Sequence, residues 1–142
     1  MNEPQIVIDT SVLVAGLRSS RGASFRVLEL VGAGRFDINV SVPLVFEYEA
    51  TLYRELPHLQ VSKTAVDTIL DFHCAIAHRH AIFFLWRPFL SDAKDDMILE
   101  LAVKAQCSYI VTHNKRHFLG VEQFNLSAVT PAEFLILIGE AK

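Results

Sequence analysis

The chain of 142 residues is poor in the features that mark secreted and membrane-embedded proteins. Its two cysteines, Cys74 and Cys107, are too few for a disulfide framework and fit a reducing compartment. The longest apolar runs, at 81–86 and 134–138, fall far short of the roughly 18 residues that a membrane-spanning helix needs. The opening M-N-E-P-Q lacks the basic and apolar regions of a signal peptide. We therefore expect a cytoplasmic protein without membrane association.

The chain also lacks an excess of basic residues. Its formal net charge is −3, from 13 Lys and Arg against 16 Asp and Glu. This balance argues against general affinity for nucleic acid, because phosphate contacts need Lys and Arg, but it leaves room for a local basic strip. A composition of 51% hydrophobic and 20% charged residues is typical of a globular chain. The length favours one domain, residues 1–142.

Segments typical of strands alternate with segments typical of helices, without a repeat or linker between them. Strands are predicted at 6–9, 36–42, 82–86, 109–112 and 124–129. Helices are predicted from Ser11, over 23–31, 43–56, 62–79 and 92–106, and from Pro131 onward. This alternation predicts an α/β fold with a mostly parallel sheet of four to five strands and helices on both faces.

Oxygen-bearing side chains follow each of the first four predicted strands. In chain order they are Asp9, then Glu47 and Glu49, then Asp92, Asp95 and Asp96, and finally Asn114. Because the carboxyl ends of parallel strands meet at one edge of the sheet, we expect these side chains to lie near one another. Carboxylates packed together repel unless a cation lies among them, and all-oxygen ligation suits Mg²⁺ or Mn²⁺. The pattern therefore predicts a divalent metal site.

Two of these aspartates also have a structural interpretation. Asp9 could cap the helix that begins near Ser11, and the sequence does not choose between capping and metal ligation. Asp92 is a good N-cap for the helix that comes after it, and taken alone that segment favours capping.

Helical spacing separates some of the remaining candidates. Asp95 is in line with the apolar residues of its helix, so it is expected to face the sheet, whereas Asp96 lies at the margin of that face. The same spacing does not choose between Glu47 and Glu49. Glu47 is preferred only because it lies nearer to the end of the second strand.

Four segments carry a resemblance over nearly the whole chain. They are I-V-I-D-T-S-V-L-V, S-V-P-L-V-F-E-Y-E-A-T-L, S-D-A-K-D-D-M-I-L-E-L-A and Y-I-V-T-H-N-K-R-H-F. In this order and spacing they resemble the PIN-domain family, in particular the bacterial toxin components of toxin–antitoxin pairs (VapC-like). The resemblance implies a Rossmann-like fold and a Mg²⁺- or Mn²⁺-dependent ribonuclease that hydrolyses RNA phosphodiester bonds. It also implies an antitoxin protein as partner.

Carried over by position, the resemblance implies catalytic roles for Asp9, Glu47 and Asp95. It implies metal ligation by these three together with Asp92 and Asn114. Asn114 stands where many family members have a fourth aspartate, and an amide oxygen can ligate a metal but contributes no charge. This departure leaves open a degenerate PIN domain that binds RNA or protein without cutting.

A phosphoacceptor signalling domain is an alternative from another class, with Lys115 as its lysine, although the acidic pair follows the wrong strand for it. Basic residues near the same edge are predicted to contact RNA phosphates, with solvated loop charges as the alternative. They are Arg18, Arg21, Lys115 and Arg116. The last helix, F-L-I-L-I-G, is predicted to be buried, with a share in a homodimer or higher oligomer.

Overall fold

The structure, a computed structural model, describes residues 3–82 and 89–141. Within these residues the strands are β1 (Gln5–Ile8), β2 (Asp37–Ser41), β3 (His78–His80), β4 (Tyr109–Val111) and β5 (Ser127–Val129). The helices are α1 (Thr10–Arg18), α2 (Ala23–Leu30), α3 (Val42–Arg54), α4 (Lys63–Ile76), α5 (Ala93–Lys104) and α6 (Pro131–Leu137). Short 3₁₀ helices span Leu56–His58, Lys115–Phe118 and Val121–Phe124. The predicted α/β class is confirmed.

The five strands form one parallel sheet in the order β3-β2-β1-β4-β5. Successive residues of a strand point to opposite faces of the sheet. Ile6 and Val7 of β1 are both fully buried, and so are Ile110 and Val111 of β4. Both faces of the sheet centre are therefore covered, as in a Rossmann-like fold.

Local sequence explains where several helices begin. Ser41 caps α3 by accepting a hydrogen bond from the Leu44 amide at 3.3 Å, and a proline lies in the first turn. Thr130 and Glu133 form a reciprocal capping box at the start of α6. Gly32 and Gly34 have positive φ angles of 86° and 82°, and they redirect the chain from α2 into β2.

The third strand differs from the prediction. The helix predicted over 62–79 ends at Ile76, and His78–His80 form the edge strand β3, paired with β2. The contacts at this edge are polar, since His80 Nε2 lies 2.9 Å from Asn39 Oδ1. A hydrophobic pattern cannot reveal such a strand. Most of the strand predicted at 82–86 lies outside the described residues.

The last helix is less buried than predicted. Phe134 and Leu135 are buried, but Ile136 and Leu137 are 52% and 53% exposed. The burial expected for the whole F-L-I-L-I-G segment is therefore wrong for these two residues, because α6 is short and packs on one side only. In the described part of the chain, no helix combines the length and apolarity needed to cross a membrane.

Tyr48 joins α3 to the end of the central strand. Its ring is 3% exposed and its hydroxyl donates to the Ile8 carbonyl. Burial, together with the nearby charge of Asp9, raises the pKa of Tyr48 well above its usual value, so the hydroxyl keeps its proton. This contact fixes the backbone immediately before Asp9.

We expect Tyr48→Phe to lower the free energy of unfolding by about 1 kcal/mol, because it removes one buried hydrogen bond. Tyr53→Phe is the matched control, since Tyr53 lies on the same helix and donates to Asp67 nearer the surface. Urea denaturation of both variants measures the difference. Equal stability of Tyr48→Phe and the wild type would show that the contact does not stabilise the end of β1.

Candidate metal centre

The sheet order places Asp9 at a crevice. From β1 the chain adds β2 and β3 on one side, whereas β4 and β5 lie on the other. In open parallel sheets, ligands bind beyond the carboxyl ends of the strands at this point of reversal. The Asp9 amide donates to the Val111 carbonyl of β4 at 2.9 Å. A cleft of about 660 Å³ opens at this position.

Two hydroxyl groups hold the Asp9 carboxylate. Ser11 Oγ and Thr112 Oγ1 each donate to Asp9 Oδ2 at 2.7 Å, and Asp9 is only 7% exposed. Asp9 occupies the N-cap position of α1, but its side chain makes no capping hydrogen bond within the described residues. The capping alternative is therefore not what the structure contains, and Asp9 lines the cleft.

Both hydroxyl groups are themselves fixed by backbone amides. The His113 amide donates to Ser11 Oγ at 3.2 Å, and the Asn114 amide donates to Thr112 Oγ1 at 2.9 Å. A hydroxyl has a single proton, so each of these groups directs that proton to Asp9 while it accepts from the backbone. Ser11 and Thr112 were not predicted as site residues. Their positions next to predicted ones, in D-T-S and V-T-H-N, are the only signal in the sequence.

The other predicted ligands line the same cleft. They are Glu47, Asp92, Asp95 and Asn114. Glu49 is exposed to solvent. Asp96 Oδ1 accepts from the amides of Phe89 and Leu90 at 3.1 Å and 2.8 Å. Asp96 therefore fixes the backbone of the segment that precedes its own helix. Asp92 both lines the cleft and caps α5 through the Lys94 amide at 2.8 Å.

Asp95 has the most perturbed ionisation among these carboxylates. Burial raises its pKa to about 6, and the negative charges of Asp9 and Asp92 act in the same direction. Its side chain is 14% exposed. His117 opposes the shift, with Nδ1 at 3.6 Å from Asp95 Oδ2. Burial and, to a lesser degree, the neighbouring carboxylates therefore disfavour the charged form of Asp95.

Glu47, in contrast, already has cationic and hydroxyl partners. Its Oε1 lies 3.3 Å from Lys94 Nζ and accepts from Thr51 Oγ1 at 2.9 Å. Lys94 is in the first turn of α5, where the helix dipole disfavours a positive charge. The nearby carboxylates, and not the dipole of α5, therefore account for the position of the Lys94 side chain.

The donor set fits a divalent cation in its chemistry. Within the described residues, no three carboxylate, imidazole or thiolate groups stand close enough to chelate an ion as they are. The cleft nevertheless collects oxygen ligands, and burial together with nearby negative charges raises the pKa of Asp95. Hard cations prefer such ligands. Asp9, Asp95, Glu47, Asp92 and the amide oxygen of Asn114 are the side chains available to hold one.

The predicted RNA-binding residues separate into two groups. Arg18 lines the cleft, and Arg116 lines an adjoining depression. Among residues 3–82 and 89–141, Arg21 and Lys115 line neither, and Lys115 Nζ lies 3.0 Å from Glu133 Oε1. The prediction missed Arg54, which lines the cleft on the face of α3 that carries Glu47 and Thr51. Spacing of four and three residues along α3 was the available signal.

Comparisons with known proteins give two findings. The profile of the PIN domain family matches residues 5–116, which include all five candidate ligands. Among solved structures, the fold is similar to a chain of VapBC2 from Rickettsia felis, solved bound to a DNA fragment from their promoter. The TM-score is 0.57 at 15% identity, with 89% of this chain and 98% of the other covered, and this likeness shows a shared fold. A comparison with curated protein sequences gives no significant match.

Asp95→Asn is expected to stabilise the metal-free protein at neutral pH. The pKa of Asp95 is about 6 in the folded protein, above the usual 3.8. Binding of this proton stabilises the folded state at low pH, and that stabilisation is lost as the pH rises through 6. At pH 7.5 in chelator, the variant should be more stable than the wild type by roughly 1–2 kcal/mol. The gain should vanish near pH 4, where Asp95 is protonated.

Thermal unfolding across this pH range measures the gain, with Asp71→Asn on the exposed side of α4 as control. If Asp95→Asn is no more stable than the wild type at pH 7.5, the carboxylate is not destabilised by its surroundings.

Lys94→Gln is expected to tighten Mn²⁺ binding. The change removes a positive charge that competes with the ion for Glu47, and the dissociation constant should fall about three- to tenfold. Isothermal titration at pH 7.5 measures it. Lys63→Gln is the control, because Lys63 pairs with Asp67 on α4 at 3.8 Å. Unchanged or weaker binding by Lys94→Gln would contradict this competition.

Proposed function

The chain belongs to the PIN-domain family, and we propose that it is a Mg²⁺- or Mn²⁺-dependent ribonuclease that hydrolyses RNA phosphodiester bonds. One observation carries the proposal. The buried Asp9 carboxylate is fixed by two hydroxyl donors at the sheet's point of reversal, in a cleft shared with Asp95 and Glu47. Such an arrangement exposes preoriented carboxylates to a cation and a phosphate.

In this proposal Asp9, Glu47 and Asp95 are the catalytic carboxylates, and Asp92 and Asn114 complete the ligand set. Bound there, a divalent cation would neutralise charge at the scissile phosphate and acidify the attacking water. Ser11 and Thr112 keep the Asp9 carboxylate in one orientation throughout the reaction. The family resemblance assigns no protein nucleophile, so a water oxygen would attack the phosphorus in line while the P–O bond to the leaving sugar oxygen breaks.

Positive side chains at the cleft position the RNA. Arg18 and Arg54 line the same cleft as the carboxylates, and we assign them to phosphates beside the scissile bond. Arg116 lies in the adjoining depression. Arg21 and Lys115, which lie outside both, would contact only a strand that extends beyond the cleft.

The biological setting is proposed from the family resemblance and from the fold likeness to a chain of the VapBC2 complex, which support a toxin whose partner is an antitoxin protein. We propose that the chain acts in the cytoplasm as a single domain over residues 1–142. The exposed Ile136 and Leu137 of α6 form a small apolar surface that suits a homodimer contact. Size-exclusion chromatography of the wild type and an Ile136→Ser variant tests whether this surface forms a homodimer contact.

The degenerate PIN domain is the second candidate, and two observations favour it. Asn114 carries no charge, and Lys94 already pairs with Glu47, so the cleft has less net negative charge than an unpaired Glu47 and an aspartate at position 114 would give. The phosphoacceptor domain finds less support. Its lysine would have to reach Asp9, whereas Lys115 pairs with Glu133 at the surface.

Purified protein with Mn²⁺ is expected to cleave labelled single-stranded RNA, and the cleavage should cease in chelator. Asp9→Asn should reduce the rate by on the order of 100-fold, because it removes a fixed charge from the reacting centre. Asn114→Asp should raise the rate, since it supplies the carboxylate that many family members have at this position. Asp71→Asn is the control for a surface charge change.

Cleavage that persists in chelator, or that continues at the wild-type rate in Asp9→Asn, contradicts a metal-dependent ribonuclease. If titration detects no Mn²⁺ binding, and the protein binds RNA without cleaving it, the protein is a degenerate PIN domain instead of a ribonuclease.

A further inference from the structure

A second depression, of about 470 Å³, adjoins the carboxylate cleft. Asp92, Asp95 and His117 line both, so the two spaces share a wall at the N-terminus of α5. Its other described lining residues are Phe89, Leu90, Ser91, Arg116 and Leu119. The proposed function uses the carboxylates of this wall but leaves its apolar side unassigned.

The Phe89 ring is held in place yet remains 40% exposed. It packs edge-to-face against Phe124, with ring centroids 5.3 Å apart and planes at 78°. Its tip also lies close to Gly120, where a Cβ atom would come within 3.2 Å of Phe89 Cζ. The Phe89 amide is fixed as well, because it donates to Asp96 Oδ1 at 3.1 Å. A supported aromatic ring therefore faces solvent beside the cleft.

Two further side chains make this surface suited to a nucleotide. Leu119 is 72% exposed, which extends the apolar area next to Phe89. The exposed guanidinium of Arg116 supplies a positive charge on the same wall. Single exposed apolar residues are common, but here two adjoin a cation and a candidate catalytic cleft.

The charges decide which part of a nucleotide fits. Asp92 and Asp95 border the depression and would repel a phosphate placed inside it. An uncharged base meets no such repulsion, and bases stack on aromatic side chains in proteins that bind single strands. Arg116 is then available to the phosphate that adjoins the base.

We propose that this depression is a nucleobase subsite, in which one unpaired base of single-stranded RNA stacks on Phe89 beside the scissile phosphate. The subsite rests on the proposed function for its position next to the cut, and it deepens that function. A base inside a duplex is stacked between its neighbours and cannot enter.

Fluorescence anisotropy with a labelled single-stranded RNA 10-mer, in chelator, tests the subsite without requiring metal or cleavage. Phe89→Leu keeps an apolar side chain against Phe124 but loses the stacking face, and binding should weaken about fivefold or more. Phe89→Tyr should bind like the wild type. Phe46→Leu is the matched control, since Phe46 is 65% exposed and lies on α3 away from this depression. A blunt-ended RNA duplex of ten base pairs, which has no unpaired base, should bind weakly, and none of the three substitutions should change its binding.

Two results overturn the subsite: wild-type protein that does not bind the single strand, or Phe89→Leu that binds it as tightly as the wild type. The second would leave the exposed ring to a protein partner. Cleavage assays with Mn²⁺ keep this separate from the proposed function. A wild-type cleavage rate in Phe89→Leu removes the subsite and leaves the ribonuclease. If RNA binding depends on Phe89 but no Mn²⁺-dependent cleavage occurs, the subsite stands and the ribonuclease is ruled out.

Discussion

The two hydrogen bonds that hold the Asp9 carboxylate are the interaction on which the cleft depends. A charge that is only 7% exposed is costly unless polar partners compensate it, and Ser11 and Thr112 do so through the same oxygen. Thr112 lies directly after β4, so the compensation exists only when β4 pairs with β1 in the observed register. Correct pairing of β4 with β1 and compensation of the Asp9 charge therefore depend on each other. The opposite oxygen, Oδ1, receives no hydrogen bond from any residue that the structure describes, which leaves it available to a ligand in the cleft.

The other carboxylates of the cleft are compensated to different degrees. Asp95 is pushed toward its protonated form by burial and by its acidic neighbours, whereas Glu47 is engaged by Lys94 and Thr51. The protein thus stabilises one side of the cleft with its own cation and leaves the other side overcharged. Asn114 lowers the total charge by one relative to a fourth aspartate. A single divalent ion on the side of Asp9 and Asp95 would relieve the repulsion that Lys94 does not reach.

Strand ends and helical spacing made much of the cleft predictable from the sequence. Asp9 and Asn114 reach the cleft because they closely follow the ends of β1 and β4, and Glu47 lies in α3, the helix that comes directly after β2. Asp95 lies in the first turn of α5 and lines the same cleft, in line with its spacing with the apolar residues of that helix. The strand at His78–His80 was not predicted and falls at the end of the helix predicted over 62–79, since it has no apolar pattern and is fixed by pairing with β2. The Thr112–Asp9 contact joins residues 103 positions apart and depends on strand register. The Lys94–Glu47 pair likewise depends on how α3 and α5 approach each other, which no local pattern encodes.

The claim at the centre is that the Asp9 cleft is a metal centre. Crystals grown with Mn²⁺, measured near the manganese absorption edge, would locate the ion directly through its anomalous scattering. The expected result is a peak within coordination distance of Asp9 Oδ1 and an Asp95 oxygen, with Lys94 displaced from Glu47 if Glu47 also binds. A crystal with Mn²⁺ elsewhere on the protein and none in the cleft would contradict the metal centre and with it the proposed chemistry.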